Sequence, residues 1–231
     1  MDLKGWVRSS LIDFPEHIAT VLFACGCNFR CPMCHNADLV LRPAELPSLP
    51  EETVWDFLAR RQGLIDGVVV TGGEPTLQAD LAAFLETLHQ RGLDVKLDTN
   101  GYRPAVLEQL LEDGLVDYVA LDVKAPAERY AVLSGLPDVD PDRVGRSIEL
   151  LRRSDVAHEF RTTVVPGMVS AGDVEAIGRW IAGADRYTIQ QFRPLGTLDP
   201  DLERVSPYPV DVLETMAARA ERWVDRVRLR T

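Results

Sequence analysis

Residues 19–34 read Ala-Thr-Val-Leu-Phe-Ala-Cys-Gly-Cys-Asn-Phe-Arg-Cys-Pro-Met-Cys, so a short apolar run leads directly into a loop that is crowded with thiols. The apolar run predicts a strand. Cys27, Cys31 and Cys34 have the spacing C-x3-C-x2-C. A [4Fe–4S] cluster normally takes four thiolates, so three ligands on one loop would leave one iron open to a small molecule. The loop therefore predicts a metal cluster at the end of the strand.

Strands and helices are predicted to alternate along the rest of the chain. The predicted strands, rich in Val, Ile, Phe and Tyr, are Ala19–Ala24, Gly67–Thr71, Val95–Asp98, Tyr118–Asp122, Phe160–Val165 and Tyr187–Phe192. The predicted helices are Glu51–Arg61, Ala79–Arg91, Pro104–Glu112, Pro141–Arg153, Ala171–Ala182 and Pro209–Arg226. Such alternation favours a parallel sheet, and six units are too few for a closed eight-unit barrel. We therefore predict an α/β fold, a partial (β/α)6 TIM-like barrel that spans residues 1–231 as a single domain.

Composition narrows the possible environments and partners. The 231 residues carry a net charge of −11, which argues against nucleic acid as a partner because that function needs clustered Lys and Arg. No stretch of about 18 apolar residues exists, so we expect no membrane span, and the first ten residues lack the apolar core of a signal peptide. Four cysteines, three of them clustered, do not form a secreted disulfide framework. Metal-binding thiols instead predict a reducing cytoplasm.

Polar residues follow several of the predicted strands. Thr71-Gly72-Gly73-Glu74-Pro75 ends the second strand, and Asp98 and Asp122-Val123-Lys124 end the next two. Because the carboxyl ends of parallel strands form the functional edge of such a sheet, we expect these groups to face one ligand site.

Each motif also has a simpler interpretation. Cys27, Cys31, Cys34 and His35 could form a Cys3His zinc site, although the adjacency of the last two suits a tetrahedron poorly. The glycine pair could be only a tight turn. Asp122 and Lys124 could be a plain ion pair on one face of a strand. Cys25 is expected to be a packing residue.

Taken together, these motifs resemble a known family. The C-x3-C-x2-C motif with Gly-Gly-Glu after the next strand resembles the radical S-adenosylmethionine (radical SAM) superfamily. Residues 27–36, Cys-Asn-Phe-Arg-Cys-Pro-Met-Cys-His-Asn, are similar to the glycyl-radical-enzyme activases. Ser10–Pro15 and Gln190–Gly196 are similar to the activating proteins of anaerobic (class III) ribonucleotide reductases.

The resemblance implies a set of roles. A [4Fe–4S] cluster and S-adenosyl-L-methionine (SAM) would be the cofactors, with Cys27, Cys31 and Cys34 as metal ligands and catalytic residues. The implied cofactor-binding residues are Gly72, Gly73 and Glu74 with Asp98 at the methionine ammonium, Asp122 and Lys124 at the ribose and carboxylate, and Met33 and His35 at the adenine. In one departure from the family, Arg193-Pro194-Leu195-Gly196 stands where formate-lyase activases carry a His-Glu-Leu-Gly that reaches the ribose.

The implied partners are a glycyl radical enzyme, namely an anaerobic ribonucleotide reductase, and a flavodoxin- or ferredoxin-type reductant. The four cysteines leave none for a second cluster. Two other functions stay open. One is a radical SAM enzyme that acts on a small molecule, as 7-carboxy-7-deazaguanine synthase does. The other is a zinc-binding scaffold without enzymatic activity.

Overall fold

The structure is a computed structural model that describes all residues from Met1 to Thr231. Its strands are β1 Leu3–Ser10, β2 Ala19–Ala24, β3 Gly67–Gly72, β4 Asp94–Thr99, β5 Tyr118–Asp122, β6 Ala157–Val164, β7 Arg186–Gln191 and β8 Arg226–Arg230. The six predicted strands are all present as β2 to β7, with ends shifted by three residues at most. Two further strands, β1 and β8, flank them.

Eight α-helices connect or follow the strands. They are α1 Ala37–Leu41, α2 Glu51–Arg60, α3 Leu81–Gln90, α4 Pro104–Glu112, α5 Tyr130–Ser134, α6 Pro141–Arg153, α7 Ala171–Trp180 and α8 Val210–Ala220. The bounds of α4 and α6 are as predicted. The Asp140 side chain accepts the backbone N–H of Asp142 at 3.1 Å and so caps α6, with Pro141 in its first turn.

The predicted terminal helix is wrong at its carboxyl end. Helix α8 ends at Ala220, and Arg226–Arg230 form strand β8 beside β7. The sequence Arg-Val-Arg-Leu-Arg alternates with a period of two, with its arginines exposed and Val227 and Leu229 less so. That alternation is the pattern of a strand with one solvated face.

The chain divides into two compact units. The first comprises Met1–Asn28, Asp38–Thr99 and Ala105–Val119, and the second comprises Phe29–Ala37, Asn100–Pro104 and Ala120–Thr231. That the chain is one domain stays a prediction.

The first unit contains a mixed sheet with the order β1-β2-β3-β4 followed by the start of β5. Strand β1 is antiparallel to β2, whereas β2, β3 and β4 are parallel to one another. Ala24 of β2 is in register with Gly72 of β3. The start of the cysteine loop and the Gly-Gly-Glu segment therefore leave the sheet side by side.

The second unit contains the end of β5 followed by β6, β7 and β8, of which the last three are parallel. Tyr187 of β7 is fully buried and donates its hydroxyl hydrogen bond to Thr162 of β6 at 2.9 Å. The core of both units consists of buried Val, Leu, Ile and aromatic side chains. No helix in the chain is both long and apolar enough to cross a membrane.

Candidate active site

The three motif cysteines follow β2 and are all free thiols. Cys27 belongs to the first unit, whereas Cys31 and Cys34 belong to the second. No three metal-ligating side chains are gathered around one point in the structure. The fit of a cluster therefore rests on the donor set, because three thiols within one short loop are the soft ligands that iron–sulfur clusters require.

Backbone hydrogen bonds hold the turn that carries two of the thiols. The N–H of Cys34 donates to the carbonyl of Cys31 at 3.0 Å, which closes the turn. From the segment that follows β7, the N–H of Leu198 donates to the Cys34 carbonyl and the N–H of Asp199 donates to the Pro32 carbonyl, both at 2.9 Å. Residues 193–199 therefore fix the shape of this turn from one side.

The side chain of His35 adds to this connection. Its Nε2 donates to the carbonyl oxygen of Arg193 at 2.8 Å, and its ring stacks on Phe192 with the centroids 6.3 Å apart. Met33 is buried in the same turn. The Arg-Pro-Leu-Gly segment, which departs from the formate-lyase activases, thus lies against the cysteine turn itself.

Helix α5 supports the loop just before Cys31. The N–H of Arg30 donates to the carbonyl of Ser134 at 2.7 Å. Gly135, which ends α5 in the left-handed region with φ of 63°, lies so close that a Cβ there would collide with the Arg30 carbonyl oxygen. Sequence reasoning missed this helix, although Gly135 is the usual signal of a helix end.

Cys31 is the most buried of the three thiols. Burial raises the pKa of Cys31 to about 11; the nearby Asp122 carboxylate adds to this effect, and the Lys124 ammonium opposes it. Without a metal, Cys31 is accordingly a neutral thiol near pH 7. Iron binds the thiolate, so cluster assembly has to release this proton.

Asp122 is held by two cations at the end of β5. Arg161 Nε donates to Asp122 Oδ1 at 2.8 Å, and Lys124 Nζ donates to Asp122 Oδ2 at 2.9 Å. Burial alone would raise the pKa of Asp122, but the two cations outweigh burial and keep that pKa well below its usual range. Burial likewise disfavours the charged form of Lys124, yet the Asp122 carboxylate outweighs burial and raises the pKa of its ammonium. The predicted Asp–Lys pair is real, and with Arg161 it forms a triad of net charge +1 that suits an anionic group such as a carboxylate.

Tyr130 positions this triad and was not identified from the sequence. Its hydroxyl accepts the N–H of Lys124 at 3.3 Å and donates to the Asp122 carbonyl at 3.4 Å. Its ring is fully buried between Phe29 and Trp180. The first turn of α5 therefore fixes the backbone between the carboxylate and the ammonium.

In the first unit the glycine pair brings two backbone segments together. A Cβ on Gly73 would collide with the carbonyl oxygen of Gly26, and a Cβ on Gly72 would collide with Ala24. The N–H of Gly73 donates to Ala24 at 2.9 Å and that of Glu74 donates to Gly26 at 2.8 Å. These hydrogen bonds fix the backbone of the segment. An ammonium only donates hydrogen bonds, so the groups that the segment can offer a ligand ammonium are its carbonyl oxygens.

The Glu74 carboxylate is buried and acts within the protein. Its Oε1 accepts hydrogen bonds from the backbone N–H of Thr76 at 3.1 Å, the hydroxyl of Thr76 at 2.6 Å and the hydroxyl of Thr99 at 2.8 Å. Its side chain therefore ties the Gly-Gly-Glu segment to the end of β4. Asp98, two residues along β4 from Lys96, forms an ion pair with that buried lysine.

Cys25 differs from its expected role as a buried packing residue. It is only partly buried, and its thiol donates to Asp2 Oδ2 at 2.8 Å. Burial and the carboxylate of Asp2 raise the pKa of this thiol.

The sequence matches the radical SAM superfamily over residues 21–181. It is 33% identical to "Putative glycyl-radical enzyme activating enzyme MJ1227" of Methanocaldococcus jannaschii, a match that covers 99% of this chain and 95% of that protein. It is 30% identical to the pyruvate formate-lyase 1-activating enzyme of Escherichia coli K12, over 79% of this chain and 85% of that enzyme.

Among solved structures, Streptococcus suis SuiB bound to S-adenosylmethionine superposes with a TM-score of 0.65 at 15% identity, covering 90% of this chain and 51% of SuiB. At that identity the likeness concerns the fold alone. It confirms the predicted fold class, the partial TIM-like barrel of radical SAM proteins.

Proposed function

Because the chain belongs to the radical SAM superfamily, and within it to the glycyl-radical enzyme activating enzymes, we propose that its partner is an anaerobic ribonucleotide reductase. The family uses a [4Fe–4S] cluster and SAM. When bound, the pair supplies one-electron cleavage of the sulfonium to methionine and a 5′-deoxyadenosyl radical, which removes a hydrogen atom from the Cα of one glycine in the partner.

The observation that supports this partner is the contact between Arg193 and His35. The Arg-Pro-Leu-Gly segment is one of the two stretches that resemble activating proteins of anaerobic ribonucleotide reductases. It replaces the His-Glu-Leu-Gly of formate-lyase activases, and it lies directly on the cysteine turn. If the cysteine turn binds the cluster as proposed, this difference between the two kinds of activase would lie next to the reacting centre.

The residues of this chain would bind and orient the cofactors. Three thiols, from Cys27, Cys31 and Cys34, would ligate three irons. The carbonyl oxygens at Gly72 and Gly73 would accept hydrogen bonds from the SAM ammonium, which can only donate.

Charged side chains would hold the rest of SAM. Asp98 would add negative charge at the ammonium. The net positive triad around Asp122 and Lys124 would favour the SAM carboxylate and contact the ribose. Met33 and His35 would contact the adenine. We also propose a flavodoxin- or ferredoxin-type reductant and a reducing cytoplasm as the place of action, since all four cysteines are free thiols.

The test combines the reconstituted protein, SAM and dithionite with a purified anaerobic ribonucleotide reductase under strict exclusion of oxygen. A glycyl-radical doublet should appear in the electron paramagnetic resonance spectrum. A reductase whose acceptor glycine is replaced by alanine is the control and should give none. Deuterium placed at the glycine Cα should be recovered in 5′-deoxyadenosine.

A second arm replaces the reductase by pyruvate formate-lyase. A doublet with formate-lyase and none with the reductase would overturn the proposed partner. Consumption of a purine precursor, with neither protein activated, would favour the enzyme that acts on a small molecule.

A further inference from the structure

Lys96 is a buried ammonium to which the proposed function gives no role. It lies in the middle of β4 with 2% of its side chain exposed, and it forms an ion pair with Asp98, whose side chain is 15% exposed. Residues i and i+2 of a strand share a face, so both side chains project from the same side of the sheet. Asp98 is nearer the carboxyl end of the strand, where the ligand site is expected.

The ring of Tyr118 lies next to the Lys96 ammonium and is itself part of an aromatic cluster. Its Nζ is 5.8 Å from the ring centroid of Tyr118, and the Tyr118 ring is 6.0 Å from that of Phe14. Phe14 in turn stacks on His17 with the centroids 3.9 Å apart. Phe14 can lie this close to the sheet because Gly67 has no side chain; a Cβ there would approach Phe14 Cδ1 to 2.8 Å.

This arrangement also explains the segment Ser10–Pro15, which the proposed chemistry does not use. The segment lies between β1 and the amino end of β2, at the opposite end of that strand from Cys27. Its Phe14 is buried and packs near Tyr118, the ring that lies next to the Lys96 ammonium.

Burial of an unpaired ammonium is strongly unfavourable, so a lysine at this position needs its carboxylate partner. Lys96 is too deeply buried to contact a ligand itself, in contrast to the partly exposed Lys124. Whatever it contributes to the site must therefore pass through Asp98. We propose that Lys96 is a positioning residue that fixes the Asp98 carboxylate in the direction from which it receives the ammonium of SAM. This inference rests on the proposed role of Asp98.

The experiment measures the dissociation constant of SAM for the anaerobically reconstituted protein, together with iron content and the midpoint of thermal unfolding. Lys96→Met should weaken SAM binding by about tenfold or more, as expected for a misplaced charge-assisted hydrogen bond, and should leave the iron content unchanged. Asp98→Asn should weaken SAM binding at least as much. In the double variant, Lys96→Met should weaken binding by no more than about twofold beyond Asp98→Asn, because Lys96 acts only through that carboxylate.

Thermal stability gives a second, independent signature. Asp98→Asn leaves a buried ammonium without its carboxylate and should lower the unfolding midpoint most, whereas Lys96→Met leaves a carboxylate that water can reach. The double variant should therefore melt above Asp98→Asn alone. If Asp98→Asn does not fold, Lys96→Met still carries the test, because unchanged SAM affinity in that variant would overturn the inference.

Lys4→Met is the matched control. Lys4 pairs with Asp2 at 3.1 Å, also two residues apart on the chain, but at the start of β1. This variant should bind SAM as the wild type does.

The possible results separate the inference from its premise. Unchanged SAM affinity in Asp98→Asn would overturn the role of Asp98 itself. A loss in Asp98→Asn with none in Lys96→Met would overturn only the inference. If the fold-loss of SAM affinity in the double variant equals the product of the losses in the two single variants, Lys96 acts independently of Asp98. That result would also overturn the inference.

Discussion

The Nε2 atom of His35 donates a hydrogen bond of 2.8 Å to the carbonyl oxygen of Arg193, which connects two segments 158 residues apart in the sequence. One of these segments carries two of the thiols, and the other departs from the formate-lyase activases. A substitution that breaks this hydrogen bond should therefore alter the position of both segments.

Replacing His35 tests this connection. In His35→Ala the Arg193 carbonyl loses its donor, a change of about 1 kcal/mol or roughly fivefold in an equilibrium constant. We expect SAM affinity to fall by about that factor while the iron content stays constant. His35→Gln, which retains a side-chain N–H, should recover part of the affinity. Leu195→Ala is the control, because that side chain is 79% exposed and should affect neither quantity. Wild-type affinity in His35→Ala would contradict the prediction.

Iron content separates the motif cysteines from Cys25. The reconstituted wild type should hold about four irons per chain, as one cubane cluster requires. Cys27→Ala, Cys31→Ala and Cys34→Ala should each lose most of the iron and the brown colour. Cys25→Ala removes only a hydrogen bond to Asp2 and should retain the cluster. Stoichiometric zinc without iron after anaerobic reconstitution would support the zinc scaffold instead.

Gly73→Ala should disturb the site by a steric route. Its Cβ would collide with the backbone carbonyl of Gly26, which cannot move as a flexible side chain could. We expect the free energy of unfolding to fall by about 1–3 kcal/mol and iron incorporation to decrease, because Gly26 directly precedes Cys27. Both quantities follow from urea unfolding and iron analysis.

Gly145→Ala is the matched control for that substitution. Gly145 lies within α6, where a Cβ would make an ordinary contact of 3.5 Å with Trp180. Replacing a helical glycine by alanine should raise the free energy of unfolding by about 0.5–1 kcal/mol. If Gly73→Ala is as stable as Gly145→Ala and binds as much iron, the close approach to Gly26 is not required.

The parts of the fold that follow from local sequence were predictable. Helix α6 begins at Pro141, after the cap residue Asp140, and helix α4 begins at Pro104. A proline therefore marks each start, and a side-chain cap also marks that of α6. Strand β2 is apolar except for Thr20. In contrast, β1 contains Lys4, Gly5 and a pair of serines, and its pairing with β2 is irregular. A strand of that composition forms because its backbone pairs with the edge of β2. No local pattern in the sequence predicts this pairing.

In the candidate site, too, some features were predictable from the sequence and others were not. The cysteine spacing and Gly-Gly-Glu could be recognised in the sequence alone. The clamp of Arg161 on Asp122 joins residues 39 apart and depends on the neighbouring positions of β5 and β6. The approach of Gly73 to Gly26 depends on the register that places Ala24 opposite Gly72. Such relations are set by the sheet and become visible only when the strands are aligned.

His17 closes the turn before β2 with both ring nitrogens. Its Nδ1 lies 2.7 Å from the carbonyl oxygen of Pro15, and its Nε2 lies 2.9 Å from Asp94 Oδ2. Both partners can only accept hydrogen bonds, so satisfying both requires the doubly protonated imidazolium. Burial lowers the pKa of His17, but the hydrogen bonds to Pro15 and Asp94 and the charge of Asp66 outweigh burial, and the pKa is raised above 6.5.

A raised pKa in the folded state makes stability depend on pH in a definite direction. The contribution of His17 is fully present below the unfolded pKa of about 6.5, and it is lost as pH rises through the higher pKa of the folded state. The free energy of unfolding of the wild type should therefore decrease between pH 6 and pH 8 relative to that of His17→Gln, which has no titrating ring. Urea unfolding of both proteins across this range measures the difference. Curves that run parallel with pH would show that His17 is not held as the imidazolium, and a difference that grows with pH would reverse the sign of the prediction.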